Sequence, residues 1–201
     1  MARHDAPRVL NLPGDRPVRL RPIRRNDLPA LDAMLMGLSP RSRRLRFHGA
    51  VNALPCTALR ELSAPDDALH ATLVAEAAGP DCSTRLVAEA RWVRDTPGAS
   101  SAEFALSVAD DWQRLGLARE LLDRLRASAA EAGVQRLYGS VLDENRGMLA
   151  LMASQGARPR RDPRGGWGLV WTLDTDAVPS QTPPAAPTSP LHTVRSAPGL
   201  A

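Results

Sequence analysis

The chain has 201 residues, 43% hydrophobic and 24% charged, with a formal charge of +4 at neutral pH. That size and apolar content suit one domain with tails, and no apolar run is long enough to span a membrane. All 26 basic side chains are arginine, and neither the two cysteines (Cys56, Cys82) nor the four histidines show metal-ligand or redox spacing, so no metal is expected. The first residues lack the apolar stretch of a signal peptide, which makes a cytoplasmic protein the expectation.

Residues 1–15 are polar, contain proline and have no period, and read as a disordered segment. Val18 to Ile23 reads as a strand. Asn26 or Asp27 can cap a helix to Met36, with Leu28, Leu31 and Leu35 on one stripe. Ser39-Pro40 starts a second helix, to about Phe47, with proline in its first turn. Pro55 to Ser63 reads as a third, short helix. Leu69–Ala77 and Arg85–Arg94 read as strands joined by a turn-rich link, and Ala102–Val108 as another. Leu115 to Ala132 carries the clearest helical stripe: Leu117, Leu121, Leu122, Leu125 and Ala129. A strand over Arg136–Leu142, a helix over Asn145–Ser154 and a strand over Trp167–Leu173 complete the domain, taken as 16–176. The order predicts an α/β fold, a mixed sheet flanked by helices, with strand–helix–strand crossovers in its second half. The segment 177–201 is rich in proline and reads as a disordered tail, because it cannot bury enough apolar surface to offset its ordering entropy.

The informative stretch is Glu103 to Ala118. Phe104, Leu106 and Val108 alternate with Glu103, Ala105 and Ser107, so one face is apolar and the other small and polar. A short turn then leads through Gln113-Arg114-Leu115-Gly116-Leu117-Ala118 into the long helix. A helix start leaves about four N–H groups without intrahelical partners, and with the helix dipole they favour an anion such as phosphate. Gly116 and Ala118 have no bulk to obstruct it. Gly116 therefore serves either a tight turn or the close approach of a ligand. The stretch is neither a dinucleotide fingerprint nor a P-loop, since both glycine patterns are missing and the chain has no lysine.

A strand followed by Q/R-x-x-G-x-G/A resembles the acetyl-CoA pyrophosphate loop of the GNAT superfamily of N-acetyltransferases. Val141 to Leu151 resembles the strand–Asn–helix segment of that superfamily, and the likeness spans about residues 17–174. Ile23-Arg24 with Asn26-Asp27, the segment Leu38 to Phe47, and Ala102-Glu103-Phe104-Ala105 are similar to the GNAT domain of bacterial protein lysine acetyltransferases. The resemblance implies a GNAT-like, mostly antiparallel sheet and acetyl-CoA as acyl donor, with no metal. It also implies a protein lysine as acceptor, with acyl-CoA synthetase-like enzymes among the acceptors of such proteins.

By the same resemblance Glu103 is the general base that deprotonates the acceptor amine; an edge-strand glutamate paired with an arginine is the other reading. Leu106, Ser107 and Val108 would hold pantetheine through their backbone. The amides of Arg114, Leu115, Gly116, Leu117 and Ala118 would hold the pyrophosphate, with Gln113 opening the loop. Arg114 or Arg119 would reach a phosphate, unless Arg119 pairs with Asp123 one turn on. Asn145 would hold the pantetheine arm or cap its helix. The chain departs from the family near Met152, where many members carry a tyrosine that protonates the leaving thiolate, and at Gly156-Ala157, where Gly-Phe is frequent.

Two further activities fit the same residues: acetylation of a small-molecule amine, and acyl-CoA binding without catalysis, as a sensor or interaction module. The arginine-rich run Arg41 to Arg46 would dock an acidic partner, guide CoA, or form a solvated helix face. It has no interleaved aromatics, so a nucleic-acid partner is not expected.

Overall fold

The computed structural model describes residues 7–49, 69–79, 83–161 and 169–175. Its elements are β1 (Arg8–Leu12), β2 (Arg16–Pro22), α1 (Leu28–Met36), α2 (Pro40–Phe47), β3 (His70–Ala78), β4 (Thr84–Val93) and β5 (Ser101–Val108). They continue with α3 (Leu117–Glu131), β6 (Arg136–Val141), α4 (Arg146–Ser154), β7 (Arg158–Arg161) and β8 (Leu169–Asp174). Among the described residues the strands form one sheet of eight, ordered β1-β2-β3-β4-β5-β6-β8-β7. Of the neighbouring pairs among the described residues, only β5 and β6 run parallel.

The apolar periods place the layers. Leu117, Leu121, Leu122, Leu125 and Ala129 of α3 are buried, packed with α4 on one face of the sheet against Leu73, Val87, Phe104, Leu106 and Leu137. Each of those leucines contributes roughly 1.5–3 kcal/mol by its burial. The alternate residues Val74 and Leu86 face the other side, where Leu31, Met34 and Leu35 of α1 cover them, with Phe47 of α2 partly buried beside them. Charged groups also lie within this frame. Arg21 donates from Nη1 and Nη2 to Asp27 at 2.6 and 2.9 Å and from Nε to Glu76 at 2.7 Å. The Arg24 N–H completes the Asp27 shell at 2.7 Å, which fixes the entry into α1.

Four expectations need correction. The stretch 1–15 is not all unstructured: Arg8–Leu12 pair antiparallel with β2, although Val9 remains 69% exposed. Their R-V-L-N-L pattern has too few buried positions to signal a strand. Arg158–Arg161 form β7, a strand with a proline and no apolar residue, made possible by an edge position beside β8. The second expected crossover does not end on the last strand: the helix after β6 leads into β7, and β8 returns between β6 and β7, antiparallel to both. The long helix begins at Leu117 rather than Leu115, which puts Gly116 at its N-cap, outside the helix. The expected helix over Pro55–Ser63, the first residues of the last strand, both cysteines and the 177–201 tail lie outside the described residues.

Candidate functional site

Strand β5 alternates as its residues require. Phe104 and Leu106 are buried in the core under α3, while Glu103 and Ala105 are half-buried on the opposite face. Along one edge β5 pairs with β4 from Val93↔Glu103 to Ala88↔Val108. Along the other it pairs with β6 only through Ser101, Ala102 and Glu103. Beyond Glu103 the two strands separate. Gly139 marks the fork: a Cβ there would lie 2.8 Å from the Phe104 ring and 3.0 Å from its carbonyl oxygen.

The ladder alternation decides which backbone groups are left over. The Ala109 N–H donates to the Val87 carbonyl, so the odd residues of β5 turn their backbone groups toward β4. Leu106 and Val108 therefore present theirs to the fork. The Val108 carbonyl accepts the Gln113 side-chain amide at 3.1 Å. Ser107, expected beside them, does not face the fork; its backbone belongs to the β4 side and its Oγ donates to Glu89 Oε1 at 3.0 Å.

The chain leaves β5 through a 3-10 turn, Asp110–Trp112, and an extended Gln113. Arg114 and Gly116 are both left-handed, at φ +62° and +88°. Gly116 caps α3 without any side-chain hydrogen bond. The first bonds of the new helix come from the N–H groups of Arg119 and Glu120, which donate to the Gly116 carbonyl at 3.1 and 3.3 Å. Among the described residues the N–H groups of Arg114, Leu115, Gly116, Leu117 and Ala118 meet no acceptor. A Cβ at Gly116 would have nothing within 4 Å. The glycine thus satisfies both demands, a positive φ and open space before a row of donors. This cradle lies at the end of β5 where the fork opens. From Glu103 to Val108 the strand extends about 17 Å, comparable to an extended pantetheine arm.

The polar face of β5 carries residues that the sequence pattern did not bring forward. Glu89 of β4, 1% exposed, is opposite Ser107. Arg46 of α2 donates from Nε and Nη2 to Glu89 Oε1 at 3.0 and 2.9 Å. Glu89 Oε2 is buried without a partner among the described residues. His48, at the left-handed end of α2, is held below its ordinary pKa by burial and by the charge of Arg46, against a hydrogen bond to the Ser140 backbone. Tyr138 of β6 is opposite Glu103. The available signal was a glutamate inside the apolar strand run L-V-A-E-A, which is costly unless it is paired.

Two expected ligand contacts are engaged elsewhere. Asn145 caps α4, its Oδ1 accepting the Met148 N–H at 3.2 Å; the cap leaves its Nδ2 unused. Arg119 donates to Ser154 of α4 at 2.8 Å rather than to Asp123, which accepts from Gln155. Met152 is fully buried in the core. Among the described residues no group of His, Cys, Asp or Glu is arranged to hold a metal.

The family model of the Acetyltransferase (GNAT) family matches residues 66–157. Acetyltransferase PA5475 of Pseudomonas aeruginosa is 30% identical over 155 residues, 77% of this chain and 82% of that protein. Acetyltransferase Pat of Mycolicibacterium smegmatis is 37% identical over 102 residues, 51% of this chain but only 29% of Pat. The GNAT domain of S. lividans PAT superposes with a TM-score of 0.77 at 25% identity, covering 87% of this chain and 99% of that domain. A cAMP-binding acyltransferase from Mycobacterium smegmatis gives 0.57 at 27% identity, with 49% of that chain covered. The fork beside β5, the open cradle at Gly116 and these likenesses agree: the chain belongs to the GNAT family of acetyltransferases.

Proposed function

We propose that the protein transfers an acetyl group from acetyl-CoA directly to an amine, with a protein lysine as the acceptor. The carrying observation is the continuity of the open edge of β5 with the donor row at 114–118. The residues fit the ligand chemically. The amides of Arg114 to Ala118 and the positive end of α3 suit a pyrophosphate. Leu106 and Val108 offer backbone groups to the amides of a pantetheine arm, and a β5 N–H would polarise the thioester carbonyl.

At the far end of the arm, Glu103 would take the proton of the acceptor. A lysine ammonium, with a pKa near 10.4, must lose that proton before its nitrogen can attack. The carboxylate would do so directly or through a water. The resemblance of Ile23 to Asp27, Leu38 to Phe47 and Ala102 to Ala105 to protein lysine acetyltransferases supports lysine over other amines. Met152 cannot protonate the departing thiolate, but a CoA thiolate is a good leaving group and can leave without an acid.

Thermal melts with acetyl-CoA, CoA and a plain nucleotide control test the donor half. Ligand at 100 times its dissociation constant adds about 2.7 kcal/mol of stability. A clear upward shift with CoA supports the cradle, and no shift at millimolar ligand removes it. Assays against lysine peptides and free amines then separate protein from small-molecule acceptors. The want of an acid near Met152 motivates a second reading, acyl-CoA binding without catalysis; its signature is a melt shift with no transfer to any amine.

A further inference from the structure

Helix α2 has no fully buried residue, and its eight residues P-R-S-R-R-L-R-F are half arginine. Besides the partly buried Phe47, polar contacts fasten it. Toward its C-terminal end the fastening is the buried Arg46–Glu89 pair. This pair and the His48 contact to Ser140 place α2 over the face of the sheet that carries Glu103. A further contact, Arg44 to Glu144 at 2.9 Å, is exposed.

The N-terminal fastening is different, because it is made to the turn that leads into the cradle. Asp110 Oδ2 accepts the Ser39 N–H at 2.8 Å. Its Oδ1 accepts the hydroxyls of Ser39 and Ser42 at 2.9 and 2.6 Å. Burial works to raise the Asp110 pKa, but these hydrogen bonds outweigh it and the carboxyl is lowered. Gln113 joins the same cluster, donating to Ser42 Oγ at 3.3 Å and to the Val108 carbonyl on the open edge. The turn is held from its other side as well. Arg16 donates to the Asp111 carbonyl at 2.7 Å and lies 5.4 Å over the Trp112 ring, and Arg85 pairs with Asp111 at 2.6 Å. Residues 110–113 thus touch β2, β4, α2 and the end of β5 immediately before the donor row.

We propose that Asp110 and Gln113 are positioning residues that couple occupancy of the cradle to the placement of α2. A donor held at 114–118 would stiffen the turn, and the turn would fix the helix over the face from which the acceptor amine approaches. Such coupling is reciprocal, so an acceptor that steadies α2 also tightens donor binding. The inference rests on the reading of the cradle as a CoA site.

The test is amide hydrogen exchange of the full chain with and without saturating CoA, following peptides that cover 39–47 and 114–118. In the native chain CoA slows exchange in both, by about fivefold or more in 39–47. In Asp110→Ala CoA still slows 114–118, but the response of 39–47 is lost. Asp110→Asn, which keeps one acceptor oxygen, restores part of it. Ser42→Ala, which removes the Gln113 bond and one of the three Asp110 bonds but leaves both Ser39 bonds, weakens the response in part. Slowing at 114–118 with 39–47 unchanged in the native chain overturns the coupling, as does a full response of 39–47 in Asp110→Ala. If CoA neither slows 114–118 nor shifts the melt, the cradle reading fails and the coupling falls with it.

Discussion

Replacing Gly116 separates its two roles. An L-residue in the left-handed region costs about 1–2 kcal/mol, and φ at this position is +88°. Among the described residues nothing stands within 4 Å of a Cβ built there, so strain sets the folding penalty of Gly116→Ala. For a domain of this size 1 kcal/mol lowers Tm by about 2–4 °C, which predicts a loss of about 2–8 °C for alanine. Asparagine tolerates the left-handed region, so Gly116→Asn should lose less. CoA affinity should follow a different order. Both side chains enter the open space before the amides of 114–118, and the larger asparagine obstructs it more. Asparagine should therefore weaken CoA at least tenfold, about 1.4 kcal/mol, and alanine by less. Differential scanning fluorimetry and titration calorimetry on the two variants measure both quantities. If Tm falls as expected while CoA binds both variants as tightly as the native chain, the glycine serves the turn alone and the cradle argument is refuted.

Glu103→Gln should reduce turnover sharply and leave the CoA dissociation constant unchanged, as measured by steady-state kinetics and calorimetry; undiminished turnover removes Glu103 from the mechanism. Glu89→Ala should destabilise the fold by about 3–5 kcal/mol in urea unfolding, because it leaves Arg46 buried without its counter-charge. The double variant Glu89→Leu with Arg46→Met should recover most of that loss, and simple additivity of the two changes would refute the pairing. Stability should also fall in acid. Hydrogen bonding from Arg21 leads the lowering of the Glu76 pKa. For Asp27 burial acts upward, but bonds from Arg21 and the Arg24 N–H prevail and its pKa is lowered too. Both contributions are complete above the ordinary carboxylate range near pH 4 and are lost as pH falls below it toward the depressed values. Urea midpoints from pH 6 to pH 2 should show this loss, and Asp27→Asn should flatten the profile.

Local sequence determined the elements with strong periods. The stripe from Leu117 to Ala129 produced α3, the alternation from Glu103 to Val108 produced β5, and a glycine ahead of an amphipathic helix marked the row of open backbone donors. These signals are local, since a side-chain period of 3.6 or 2 already states which face is buried. β1 and β7 carry no such signal, because an edge strand is held by pairing with a neighbour rather than by a buried face. The role of Ser107 depended on ladder phase, which only the partner strand sets. Asn145 took the cap that its place before α4 offers, whereas Arg119 took a partner across to α4, Ser154, that no spacing rule selects. The Arg46–Glu89 and Asp110–Ser42 contacts join residues 43 and 68 positions apart, and only packing of α2 on the sheet brings them together. Sequence thus determined what each segment would bury and where backbone donors would be left open. The tertiary structure decided which polar groups met beneath α2, because charge pairing across a fold depends on position in space, which periodicity does not encode.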